Sequence, residues 1–438
     1  MSDSLGVYIS VPFCRAKCTY CNFASGVFGA ERMGRYVEQV CAEIRGARTA
    51  VTRFNAVLPR RVDTVFLGGG TPSLLGAGQV RAIFAALRGE FEVDPGAEVT
   101  LECAPGQLDE ATLDELLSQG MSRVSFGVQS FVDREAKAVG RLHTREICLE
   151  EIARLRAAGV EDINVDLIVG LPHQTAESWR ESVEVAIGSG VPHVSVYMLE
   201  VDEESRLGRE MLKAGIRDQG SGIGGARYGA GASPSEDETA EWYGAACEWL
   251  EAAGVRQYEI SNFAREGHRS GIRTSHRSRH NVKYWRREPY VGFGLDAHSM
   301  LRTGAPVGVN AVRWANTSDL EAYLSGDQGI GIRDQGSGED RADLFGLGKL
   351  AVPEVEAIGW EQGFEEALFL GLRMNEGVDL EGLRGEFGDG LVRGALEALG
   401  DVEEAGLVER EGGRLRLTGR GRMVSNEVFS RLLVAAVG

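Results

Sequence analysis

The chain has 438 residues, enough for one large domain and a smaller one, each with a core of its own. Its 65 acidic side chains outnumber the 47 basic ones, and the net charge of −18 argues against nucleic acid or anionic lipid as a partner. The first residues, Met1-Ser2-Asp3-Ser4, are polar and acidic, and no apolar run reaches the ~18 residues of a membrane span. A soluble protein of the reducing cytoplasm, with no transmembrane segment, is expected.

A strand-like run, Val7–Val11, leads into a loop carrying Cys14, Cys18 and Cys21 in the spacing C-x3-C-x2-C. Thiolates are soft ligands suited to iron–sulfur clusters, and a cubane held by three cysteines keeps one iron open to an exogenous chelate. An amino acid's amine and carboxylate would fill that position. The spacing is that of radical S-adenosylmethionine (SAM) proteins, where SAM does so. A structural zinc would want a fourth protein ligand, and no other Cys or His follows Cys21 before Cys41. A disulfide would strand one thiol. The remaining cysteines, 41, 103, 148 and 247, have apolar or helical surroundings and read as small buried hydrophobes.

From there short β runs alternate with amphipathic stretches, the pattern of β/α units with parallel strands. The predicted strands are Val7–Val11, Thr64–Leu67, Val99–Glu102, Arg123–Val128, Asn164–Val169 and His193–Leu199. Helices are predicted at Arg32–Arg48, Asp109–Gln119, Arg145–Ala158 and Ala176–Gly188. The fold class is therefore α/β, a partial (β/α)6 barrel rather than a closed eight-fold one. Each strand ends in something polar: the cysteine loop, then Gly68-Gly69-Gly70-Thr71-Pro72, Glu102, Gln129, Asp166 within the fifth, and Tyr197-Met198. Barrel enzymes build their sites at such strand ends, so the site is expected inside one mouth. The glycines would let backbone wall the SAM amino group, and Glu102 and Asp166 would accept hydrogen bonds from it or from the ribose. Arg141 would hold a carboxylate through paired N–H donors.

Three stretches look inserted. Gly215 to Gly222 recurs letter for letter as Gly331 to Gly338, and Gly271-Ile272-Arg273 lies between two copies of His-Arg-Ser. Rich in Gly, Ser and Asp, they are expected to be flexible surface loops, with His276 a bystander. The Gly-rich run 222–231 has no strand-to-helix context and is not a nucleotide loop. The domains are expected at 1–235 (the barrel), 236–340 (an extension) and 341–438. The last is mostly helical and winged-helix-like, with a hairpin, Leu407–Arg410 and Arg414–Leu417, around Glu411-Gly412-Gly413. Its acidic residues, Glu397, Asp401, Glu403 and Glu404, favour packing over DNA binding.

Several runs together resemble the oxygen-independent coproporphyrinogen III oxidase family. They are Tyr8-Ile9-Ser10-Val11-Pro12-Phe13-Cys14, the GGGTP run, Phe126-Gly127-Val128-Gln129-Ser130-Phe131 and Asp166-Leu167-Ile168-Val169-Gly170-Leu171-Pro172. Tyr258–Ala264 (YEISNFA) and His280-Asn281-Val282-Lys283-Tyr284-Trp285 are similar to its HemW-type heme-chaperone branch. The resemblance implies that Cys14, Cys18 and Cys21 ligate a [4Fe-4S] cluster. It implies that Tyr8, Tyr20, Gly69, Gly70, Thr71, Glu102, Gln129, Arg141 and Asp166 line SAM. It puts the H-N-x-x-Y-W run at or near heme, with His280 the candidate ligand.

The implied function is heme binding and delivery to acceptor hemoproteins. A homodimer and a transient contact with a membrane protein are left open, as is cleavage of SAM. The rival is oxidative decarboxylation of coproporphyrinogen III by a deoxyadenosyl radical. Oxidases carry a further cysteine two residues past the third, where this chain has Phe23, and a longer segment ahead of the cysteines. Both differences favour the chaperone. Ser10 stands where the family pattern usually has histidine, and the insert at 271–278 abuts His280.

Overall fold

The computed structural model describes residues 4–52, 56–201, 205–209, 233–269, 272–303, 309–325 and 355–434. Both copies of the eight-residue repeat and the Gly-rich run 222–231 lie outside these residues.

Six parallel strands stand side by side in chain order: β1 (Ser4–Val11), β2 (Arg61–Gly69), β3 (Glu92–Cys103), β4 (Arg123–Gln129), β5 (Asp162–Val169) and β6 (His193–Met198). The connecting helices include α1 (Ala30–Thr52), α2 (Ala77–Glu90), α3 (Glu110–Ser118), α4 (Asp133–Ala138), α5 (Arg145–Ala157) and α6 (Ala176–Gly188). Four carry side-chain hydrogen bonds or a capping box at the N-cap, from Asp109, Thr144 and Thr175 among others, which satisfies otherwise orphaned amides. The sheet is open and forms no closed barrel among the described residues.

Parallel strands covered by helices are usually apolar on both faces. Here only one face is. Val7, Ile9, Val65, Leu67, Val99, Leu101, Val124, Phe126, Ile163, Val165, Val194 and Val196 form the buried core under the helices. The alternate residues carry polar or aromatic side chains, and register aligns them in rows. Tyr8 pairs with Phe66, Phe66 with Thr100 and Thr100 with Arg123; one step on, Glu102 pairs with Ser125, Ser125 with Asn164 and Asn164 with His193. Since side chains alternate across a strand, the inner face of the curved sheet is a polar lumen.

The sheet runs on past both ends of the six. Beyond β6 come β8 (Asn262–Ala264) and β7 (Arg256–Glu259), after the helix α7 (Glu236–Ala252). Beyond β1 lie β11 (Tyr290–Phe293), parallel to it, and the antiparallel β12 (His298–Arg302), β13 (Val309–Ala315) and β14 (Val355–Gly359). Between them sit a hairpin, β9 (Glu266–Arg269) with β10 (Ile272–Ser275), and α8 (Arg279–Trp285). The expectation of a loose loop at 271–278 is thus corrected. The backbone of 272–275 is paired as strand, and its glycine and serine content hides strands of only four residues. His276 is not a bystander either: its Nδ1 lies 2.5 Å from Asp162 Oδ1, and its carbonyl accepts from Arg123 Nη1 at 2.9 Å.

Residues 360–434 form short helices around a three-stranded sheet, β15 (Val378–Asp379), β17 (Arg414–Leu417) and β16 (Val408–Glu411), over a separate core that includes Leu368, Leu383, Val392 and Leu415. This unit docks on the β7–β8 edge. Ile260 N donates to Arg373 O at 2.9 Å, Asn375 N donates to Tyr258 O at 2.9 Å, and the buried Arg287 pairs with Glu366 at 3.1 Å.

Candidate functional site

The cysteine loop is pinned at both ends. Cys14 N donates to Gly26 O and Gly26 N to Pro12 O, each at 2.9 Å, while Thr19 N donates to Val139 O at 3.1 Å. Cys14, Cys18 and Cys21 are free thiols, half-buried at the mouth. Arg141 Nη1 lies 3.2 Å from Cys18 Sγ, and Thr71 Oγ1 lies 3.7 Å from Cys14 Sγ. Burial pushes the Cys21 thiol up, against the pull of the Phe23 amide and Ser25. Donors aimed at sulfur stabilise thiolates and tune a cluster built on them.

Among the described residues no three His, Cys, Asp or Glu side chains gather as they would around a single ion. A cubane asks for something else. Its three protein ligands bind three different irons, so the sulfurs stand farther apart than the donors of a mononuclear site. Three free thiols in one exposed loop, each within reach of the mouth, fit that group as a donor set.

The glycine run is dictated by close approach. Gly70 N donates to Val11 O at 2.9 Å, and a Cβ at Gly70 would sit 2.7 Å from that oxygen and 2.9 Å from Phe13 O. Gly69 has φ +100°, a region that L side chains rarely adopt, and its N–H donates to Glu102 Oε2 at 3.0 Å. Thr71 N donates to Phe13 O at 2.8 Å. These glycines therefore hold the cysteine loop against β2 as well as shaping the mouth.

Glu102 and Asp166 face each other across the lumen. Burial, then the Asp166 charge, pushes Glu102 up to about 8, despite the Gly69 amide. Burial also raises Asp166, against hydrogen bonds from Ser195, Asn164 and Ser125. Asn164 Nδ2 lies 2.7 Å from Asp166 Oδ1. Two buried carboxyls that cannot comfortably ionise together are suited to a cationic ligand. Gln129 sits at a register shift with φ +70°, and its buried Oε1 finds no partner among the described residues. Arg141 donates through Nη2 to Gly127 O, and its Nε is likewise buried without a partner. Strained or unsatisfied polar groups of this kind cluster where a ligand completes them. Tyr20 packs with Val139, Ile168 and Leu171 beside Cys18, and Tyr8 stacks on Phe66, with ring centroids 5.9 Å apart.

Two cavities open from this region. One, about 260 Å³, is the polar lumen, with Glu102, Asp166, Arg123, Asn164, His193 and His280 on its wall. The other, about 300 Å³, lies beside the cysteine loop and is lined by Tyr8, Ser10, Phe23, Tyr284, Tyr290 and His298, among others. Tyr8 and Tyr284 line both.

His280 is held at every polar atom. Its Nδ1 lies 2.9 Å from Thr64 Oγ1, its Nε2 lies 2.8 Å from Tyr284 OH, and its amide donates to Glu98 Oε1 at 3.0 Å. Burial, then Lys283, pushes the imidazole down to about 3. With both ring nitrogens engaged, it does not offer an axial ligand as it stands; this is the arrangement of a structural histidine. The lumen floor is built in part from residues that no motif marks. There His193 bonds Asn164 Oδ1 at 2.6 Å and Tyr258 OH at 2.9 Å, and Ser195 bonds Asn262 Oδ1 at 2.7 Å. The signal was present as spacing: Asn164 with Asp166, and His193 with Ser195 and Tyr197, fall two residues apart on one strand face.

This fold is that of a radical SAM protein. Residues 8–186 match the Radical SAM superfamily and residues 361–424 the HemN C-terminal domain. The solved structure of coproporphyrinogen III oxidase HemN from Escherichia coli, a radical SAM enzyme, superposes with a TM-score of 0.73 over 98% of this chain and 90% of that one, at 20% identity. That likeness is one of fold. Radical SAM membership implies a [4Fe-4S] cluster and SAM as cofactors.

Sequence similarity goes further. The heme chaperone HemW of Synechocystis is 32% identical over 85% of this chain and 78% of its own length. HemW of Mycobacterium tuberculosis is 30% identical over 98% and 94%, and that of Lactococcus lactis 27% identical over 98% and 97%. The chain belongs to the HemW heme-chaperone family. No helix among the described residues is long and apolar enough to cross a membrane.

Proposed function

We propose that the chain binds heme and passes it to acceptor hemoproteins, with Cys14, Cys18 and Cys21 holding the cluster. The observation that carries this is the similarity to HemW chaperones over nearly the whole of both chains. The site supports it. Exposed apolar side chains stand around the mouth: Phe23 and Val27 in the cysteine loop, Leu142 beside Arg141, and Tyr197 and Met198 at the end of β6. An apolar rim of this kind suits a flat hydrophobic cargo that must also leave. Phe23, 63% exposed, stands at the position where oxidases have a further cysteine. Glu102, Gln129, Arg141, Asp166, Tyr8, Tyr20, Gly69, Gly70 and Thr71 would then hold SAM against the open iron, the carboxyls accepting hydrogen bonds from its amine or ribose and Arg141 pairing with its carboxylate. The acceptors would meet the chain at this mouth in the cytoplasm.

The experiment is heme transfer. Heme loaded on the anaerobically reconstituted protein should move to an added apo-hemoprotein, with the Soret maximum shifting from donor to acceptor. Heme that stays on the donor with every acceptor tried counts against the reading.

A further inference from the structure

The cavity beside the cysteine loop holds an imidazole that no group among the described residues hydrogen-bonds. His298 opens β12, is exposed, and lies on the wall of this cavity together with Phe23, Tyr8, Tyr284 and Tyr290. No hydrogen bond to its ring occurs among the described residues, and its charged neighbour is Asp296, on the same wall. The other described histidines nearby are engaged: His143 with Val128 O, His193 with Asn164 and Tyr258, His276 with Asp162, and His280 with Thr64 and Tyr284.

We propose that His298 is an axial ligand of heme, with the macrocycle taken up by the aromatic wall of this cavity. The proposal rests on the reading of the chain as a heme binder, and it moves the ligand from His280 to His298. Heme iron is commonly held by a histidine nitrogen, and a ligating histidine works best when its other ring nitrogen faces a carboxylate. Asp296, two residues upstream on the same cavity wall, is the carboxylate placed to take that role. Its φ of +56° marks a tight turn, which is held by Asp296 N donating to Thr317 O at 3.0 Å and Asn316 N donating to Ala297 O at 3.0 Å. The turn sets both side chains on the cavity from rigid backbone.

The aromatic wall is built as firmly. Tyr284 is fixed by the His280 hydrogen bond and by an edge-to-face contact with Tyr290, centroids 4.5 Å apart. Such rings offer faces and edges to a conjugated macrocycle. The H-N-x-x-Y-W run then serves heme by positioning Tyr284 as wall, with its histidine as the strut behind. Phe23, from the cysteine loop, lines the cavity as well. The cavity opens to solvent at His298 and Phe23, as a cargo site must.

The test titrates hemin into wild type, His298→Ala, Asp296→Asn and Phe23→Ala, following the Soret band. His298→Ala should shift the band and weaken binding at least about tenfold, and added imidazole should restore the band position. Asp296→Asn should weaken binding less and keep the band shape. Because His298 is exposed, its variant should unfold at the wild-type temperature, so a loss of binding is not a loss of fold. A His298→Ala protein with the wild-type spectrum and affinity overturns the assignment while leaving heme binding intact. A wild-type protein with no Soret band overturns the parent reading, and the assignment with it.

Discussion

The two cavities share Tyr8 and Tyr284 but have opposite chemistry. On the lumen floor the polar side chains bond one another, and Asn164 alone donates to Ser125, Asp166 and Ser195 at 2.7, 2.7 and 3.0 Å. In the cavity beside the cysteines the walls are largely aromatic, and the imidazole of His298 makes no hydrogen bond among the described residues. A satisfied network fixes shape, since breaking any member leaves a buried polar group unpaired. An unsatisfied, partly exposed wall receives a guest. The same division separates the cysteines: burial pushes Cys103 and Cys148 up to about 12, whereas Cys14, Cys18 and Cys21 are half-exposed in the loop.

The largest effect expected is on the cluster. Cys18→Ala should abolish it, read as iron and sulfide content and by EPR, while changing the stability of the metal-free fold by no more than about 0.5 kcal/mol. Cys148→Ala should do the reverse, keeping the cluster and costing about 1 kcal/mol. A Cys18→Ala protein with full cluster content would erase the distinction between the two sets of thiols.

Next comes the pair of histidines. His280→Ala leaves Thr64 and Tyr284 buried without their partner and should cost about 3 kcal/mol in denaturant unfolding. His298→Ala should cost no more than about 0.5 kcal/mol. Equal costs would show that the lumen is no more tightly built than the open cavity.

A smaller effect concerns pH. Glu102 titrates near 8 in the folded chain, against an ordinary value of 4.5. Between these values the folded state holds a proton that the unfolded chain has lost, so stability falls as pH rises through this window. Glu102→Gln should flatten part of that fall, and Glu259, pushed up to about 8 by its own burial, should keep the rest. SAM, as a cation, should bind more tightly as pH rises through 8, and that rise should vanish in Glu102→Gln. A wild-type stability profile that climbs from pH 5 to 8 would contradict the assignment of Glu102 as a proton holder. The smallest effect is at Phe23, where alanine should weaken heme binding only about three- to tenfold, the worth of one aromatic contact.

Much of the barrel was legible in sequence because its signals are local. All six predicted strands lie within or overlap observed ones, and Ala176–Gly188 forms the helix expected there. The cysteine loop, the glycine run and the strand-end carboxyls announced themselves by residue type and spacing. What escaped depended on distant partners. Strands β11 to β14 are short and lack clear alternation, so only pairing with β1 and with one another makes them a sheet. The strut role of His280 could not be read either, because Thr64 stands 216 residues away in sequence. His298 carries no motif of its own. It becomes a candidate only once β11, β12 and the cysteine loop meet around one cavity.

The most direct measurement is a paired assay on the anaerobically reconstituted protein, heme titration in one arm and coproporphyrinogen III turnover with SAM and reductant in the other. A chaperone with an open, aromatic cargo site should show a saturable Soret band and form no protoporphyrinogen. Sustained conversion of coproporphyrinogen III, with no retained heme, would contradict the heme-carrier reading and make the chain an oxidase.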